Sequence, residues 1–161
     1  MKLSEYLLMK PELSLCVVFL LLILYDLFAS DKAKKHYFPV ACIIFLVHTI
    51  YCLTLSFCLK QPDATAFGGM YVSGASQLAI KNILNIGVFL IFLQANSWLK
   101  DKETIFKRGE FFMLTILTLL GMYLMVSSGN FLLFYIGLET ASLPIAALVA
   151  FDKYTHHSAE A

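Results

Sequence analysis

Long stretches without a formal charge alternate along this chain with short charged segments. Leu13 to Tyr25 is an uncharged run of 13 residues, Tyr37 to Leu59 one of 23, Asn82 to Leu99 one of 18 and Phe111 to Leu138 one of 28. About 20 apolar residues of helix cross the hydrocarbon core of a bilayer. The pattern predicts an all-α, polytopic transmembrane bundle of about five helices in a single membrane domain, near residues 13–28, 37–59, 80–99, 111–126 and 131–151. The second span is rich in β-branched and aromatic residues but far too long for a strand. The 28-residue run is divided because Ser127-Ser128-Gly129-Asn130 is a turn cluster within it. Between the second and third spans lies the extended linker. Its Gln61-Pro62-Asp63 and Phe67-Gly68-Gly69-Met70-Tyr71 read as turns of a small hairpin on the membrane surface.

Met1 to Glu12 reads as a mildly charged, interfacial start. A charged head before an apolar run also has the outline of a signal peptide. No small-residue cleavage site follows, whereas Asp31-Lys32-Ala33-Lys34-Lys35 does, and basic residues there resist translocation. The first span is therefore expected to be an uncleaved helix.

Composition strengthens the membrane reading. The 161 residues are 60% hydrophobic and 14% charged, with a mean hydropathy of +0.78; an average soluble domain is about 25% charged. A soluble fold is excluded. The net charge of +1 matters less than where the charges lie. Lys32, Lys34, Lys35, Lys100, Lys102, Lys107, Arg108 and Lys153 fall on one side of the bundle, and Lys2, Lys10, Lys60 and Lys81 on the other. This bias places the N-terminus outside and the C-terminus in the cytoplasm. Lys81, at the mouth of the third span, is expected to snorkel to the outer surface. No basic patch interleaved with aromatics suggests a nucleic-acid partner. The lipid bilayer is the partner that composition names. Cys16, Cys42, Cys52 and Cys58 have no metal or redox spacing and read as small buried hydrophobes. No haem attachment motif, Walker loop or GxGxxG is present, so no cofactor is expected within this chain.

Glu139 is the residue that composition does not explain. It is the ninth residue of the fifth span, roughly 12 Å from the outer end of a helix about 30 Å long. An ionised, unpaired carboxylate at that depth costs a few kcal/mol, so such residues face the bundle interior and carry ions or protons. The plainer reading is a protonated structural acid bonded to a neighbouring helix. Pro144, five residues on, offers no N–H to the Thr140 carbonyl, which predicts a free acceptor and a kink. Gly137 allows another helix to approach closely. Asp26, near the cytoplasmic end of the first span, either faces the basic loop or joins a proton route. Glu110 opens the fourth span, where a negative charge suits a helix N-terminus. His48 reads as a neutral, hydrogen-bonded imidazole, and His156-His157 as loop residues.

Phe131 to Leu148 contains Gly137-Leu138-Glu139, Ser142-Leu143-Pro144, which resembles the G-[LI]-E-x-x-S-L-P signature of the fifth helix in subunit N of bacterial NADH-quinone oxidoreductase, respiratory complex I. Glu110-Phe111, Asp26-Leu27-Phe28 and Phe67-Gly68-Gly69-Met70-Tyr71 are similar to the same family, and the likeness covers essentially the whole chain. The resemblance implies an antiporter-like subunit of the bacterial inner membrane that translocates protons, without its own redox centre, beside other membrane subunits of complex I. Quinone, NADH, flavin and iron–sulfur clusters would belong to the whole complex. It implies that Glu139 pairs with a lysine on a seventh helix and that Glu160 matches a charged residue after the fifth. Family members have about fourteen helices, so this chain is expected to be a truncated, N-terminal part. Two other readings stay open: a subunit of a stand-alone cation/proton antiporter, and an inert membrane scaffold.

Overall fold

The computed structural model describes residues 3–28, 36–58, 63–98 and 108–149. Five long helices dominate: α1 (Lys10–Phe28), α2 (Tyr37–Cys58), α3 (Ala75–Trp98), α4 (Arg108–Val126) and α5 (Phe131–Val149). Each is long and apolar enough to cross a membrane. A short helix, Leu3–Tyr6, and a 3-10 turn, Leu7–Met9, lead directly into α1. Between α2 and α3, strands β1 (Ala64–Ala66) and β2 (Tyr71–Ser73) pair antiparallel, with Thr65 opposite Val72.

Several boundaries differ from those expected. The first helical span starts before Leu13, so Glu12 lies inside it and is buried rather than interfacial. The third starts at Ala75 instead of Ile80, directly after Gly74, whose carbonyl accepts from Leu78 N at 3.1 Å. The fourth takes in Arg108 and Glu110. Hydropathy alone misses such turns because polar residues can occupy the first turn of a helix without disturbing its backbone bonds.

The turn between α4 and α5 forms where the polar cluster stands. Asn130 caps α5: its Oδ1 accepts from Leu133 N at 2.9 Å, satisfying one of the amides that the first turn leaves free. The hairpin docks on this turn. Val72 N donates to Ser127 O at 2.8 Å and Gly129 N to Met70 O at 2.7 Å. A Cβ on Gly129 would strike the Gly69 carbonyl, so the contact requires glycine. Phe67, Gly68 and Gly69 take positive φ values of 54°, 66° and 87° to reverse the chain, and the Phe67 ring packs edge-on against Tyr6 at 5.4 Å. The chain start, the hairpin and the α4–α5 turn thus share one face of the bundle, the hairpin face.

Helices α1 to α4 enclose the core, and α5 packs on the outside of α4. The inward stripe of α3 runs Leu78, Lys81, Asn82, Asn85, Val88, Phe92, Ala95, a spacing of three and four that keeps one helix face inward. Its first half is polar and its second half apolar. The other helices match it. Away from the hairpin, Phe92 meets Phe112 edge-on at 4.6 Å and Phe45 at 5.0 Å. Towards the hairpin, the core is built from Glu12, His48, Lys81, Asn85 and Tyr123.

Candidate functional site

Of the side chains that the sequence singles out, Asp26 and Glu110 stand at the end of the bundle opposite the hairpin. Asp26 lies against the first turn of α4, where a Cβ on Gly109 would fall 2.8 Å from its Cγ. The positive end of that helix faces the carboxylate. Glu110, in the same turn, is exposed. Glu139 stands apart from both, on α5, and is half-buried. Tyr135 stands one helical turn before it on the same helix. Glu160 and the basic residues at 29–35 and 99–107 lie outside the described residues.

Gly137 packs backbone against backbone with α4. A Cβ there would sit 2.8 Å from Met125 N and 2.9 Å from Gly121 O, while one on Gly121 would meet Ala141 N. Pro144 is buried within α5, which continues through it to Val149. Among the described residues, the helix that carries Glu139 packs chiefly on α4. Phe134, Ile136, Leu138 and Leu143 of α5 are exposed.

Lys81 does not snorkel. It is 2% exposed and forms an ion pair with Glu12, itself 2% exposed. Burial in a membrane bundle makes a lone ammonium expensive, and a carboxylate one helix away offers more than the distant surface does. Tyr71 completes the cluster. Its hydroxyl donates to Glu12 Oε2 at 2.9 Å and lies 3.4 Å from Lys81 Nζ. Burial, and then the Glu12 carboxylate, push the Tyr71 phenol well above its ordinary range. The Lys81 ammonium also rests over the rings of Tyr71, 5.5 Å from the centroid, and Tyr123, at 5.4 Å.

A second polar group lies deeper. Tyr123 donates to Asn85 Oδ1 at 2.6 Å. The Tyr123 oxygen also lies 3.3 Å from His48 Nε2. His48 Nδ1 lies 2.7 Å from Ser14 Oγ, which itself donates to the Pro11 carbonyl at 3.1 Å. His48 is thus buried among hydrogen-bonding partners. Cys52, buried as expected, has its Sγ 3.6 Å from His48 Nε2. Among the described residues, no three His, Cys, Asp or Glu side chains are grouped to hold a metal ion.

Sequence reasoning missed Glu12, Tyr71, Asn85 and Tyr123. The signal for part of this lay in α3, where Lys81, Asn82 and Asn85 recur at a spacing that puts three polar residues on one helix face.

Five helices long and apolar enough to cross a membrane, four of them closed around a core that holds a buried ion pair, define a multi-pass membrane protein. No protein-family model matches the chain. It is 48% identical over 161 residues to the NADH-quinone oxidoreductase subunit N of Phocaeicola vulgatus, and 43% identical over 161 residues to that of Azobacteroides pseudotrichonymphae. The subunit N of Neisseria gonorrhoeae is 37% identical over 154 residues, 94% of this chain. The first two comparisons cover 100% of this chain but 33% of each relative, and the third 30%. Along its whole length the chain is similar to proteins of the subunit N family, and it spans about a third of the length of the relatives it matches.

Proposed function

We propose that this chain is part of the membrane arm of a proton-pumping NADH-quinone oxidoreductase and contributes to proton translocation coupled to quinone reduction. The observation that carries the reading is the 48% identity to a subunit N along all 161 residues. Glu139 supplies the chemistry. It is an acid placed well inside an apolar helix, on an element that packs chiefly on α4 among the described residues. A carboxylate so placed needs a cationic partner, and a lysine on another helix, as the resemblance implies, would lower the cost of its charge and let a proton be taken up and released. The redox groups lie in other subunits, and the membrane subunits of the complex are the partners.

The hairpin face is directed outward. With Lys81 internal and paired, the basic residues of that side fall from four to three (Lys2, Lys10 and Lys60) against eight on the other. Purification through an affinity tag on this chain tests the assignment. NADH-quinone reductase activity and its redox subunits should co-purify. Recovery with a small set of antiporter subunits and no such activity would replace this reading with a cation/proton antiporter.

A further inference from the structure

The buried cluster beneath the hairpin contains more protonatable chemistry than a helix-packing contact requires. Every element around Lys81 contributes a titratable side chain: Glu12 from α1, Tyr71 from β2, Tyr123 from α4, and His48 and Cys52 from α2 a step further in. Asn82 Oδ1 and Thr118 Oγ1 are buried without a hydrogen-bond partner among the described residues. Such atoms are usually met by internal water. On its outer side Lys81 lines a pocket of about 10 Å³ shared with Leu55, Ser73, Gly74 and Gln77, room for about one water molecule. On its inner side Asn85, one helical turn on, begins the hydrogen-bonded series Asn85, Tyr123, His48, Ser14.

We propose that Glu12 and Lys81 form a second proton-exchange site, separate from Glu139, that passes protons between the hairpin face and His48 in the middle of the bundle. The elementary step is transfer from the Lys81 ammonium to Glu12: one N–H bond breaks, one O–H bond forms, and an ion pair becomes a neutral amine and a carboxylic acid. The acid gives its proton to water at the hairpin face. The amine regains one from His48 after the imidazole has itself taken up a proton from the opposite side of the bundle, so one proton moves per cycle and every group returns to its starting charge. A lysine suits this step because a buried ammonium can be deprotonated, which a guanidinium in a protein cannot. The proposal rests on the proton-translocation reading above.

Two variants in the assembled complex test it, with protons moved per NADH oxidised measured in inverted membrane vesicles. Glu12→Gln keeps the size and the bond from Tyr71 but cannot take a proton. Lys81→Arg keeps the positive charge beside Glu12 but cannot give its proton up. Each should leave assembled complex that has lost proton transport per NADH. A wild-type ratio in either assembled variant would overturn the proposal, because a purely structural ion pair tolerates Lys81→Arg. Failure of both to assemble would overturn it too, showing the pair to be a strut. Glu139→Gln, measured alongside, separates the two readings. Its loss of coupling with normal coupling at Glu12 and Lys81 removes only the second site, and normal coupling in Glu139→Gln removes the reading on which that site rests.

Discussion

Tyr71 and Glu12, 59 residues apart, are joined by a hydrogen bond of 2.9 Å from the phenol to the carboxylate. The bond fastens the hairpin to the first helix. Because the same hairpin is bonded through its backbone to Ser127 and Gly129, it also connects the first helix to the start of α5. The turn that leads into α5 is thereby tied to the helix that carries the acid of the buried ion pair.

Tyr71→Phe should destabilise the bundle by about 1–3 kcal/mol, since one oxygen of a buried carboxylate loses its donor. The wild type should also lose stability in alkali. The Tyr71 phenol is raised above its ordinary value of 10.0, so its contribution is complete below about pH 10 and is lost as the pH rises towards the folded-state value. Thermal unfolding of the purified complex at pH 8 and above pH 10 checks both points. The alkaline loss should be smaller in Tyr71→Phe.

Gly137→Ala should separate α4 from α5. The new methyl meets backbone atoms, Met125 N and Gly121 O, which cannot move aside as a side chain can. Overpacking of this kind costs about 1–3 kcal/mol, read as a lower melting temperature. Gly87→Ala, where a Cβ has nothing within 4 Å, should cause no loss.

Cysteine labelling reads the orientation. In a background without native cysteines, Lys34→Cys and Lys102→Cys should react from the cytoplasmic side only. Lys60→Cys and Asn130→Cys should react from the periplasmic side. Labelling of the first pair from the periplasm would invert the topology.

Much of the architecture was legible because a membrane helix is written in continuous apolar residues, and the turn at Ser127-Ser128-Gly129-Asn130 in residues with local backbone-bonding side chains. Lys81 was misread for a physical reason. A lysine near a helix end has two ways to avoid a bare charge in lipid, the surface or a buried acid, and hydropathy does not distinguish them. The acid that decides the matter, Glu12, comes from a helix 69 residues earlier. Asp26 and Glu110 were placed at the correct end of the bundle by their spans, but the contact of Asp26 with Gly109 depends on how α1 crosses α4. Gly121 and Gly137 pair for the same reason, through a crossing that one-dimensional patterns do not contain.

Proton transport by the assembled complex carrying Glu139→Gln tests the proposed function most directly. Glutamine keeps the size and hydrogen-bonding capacity of the side chain but cannot take up and release a proton. The complex should assemble, while NADH-driven acidification of inverted vesicles and the quinone reduction coupled to it should fall strongly. Glu139→Asp, which keeps the acid about 1.5 Å out of place, should do less damage. Normal acidification and normal quinone reduction in assembled Glu139→Gln would contradict a role for Glu139 in moving protons.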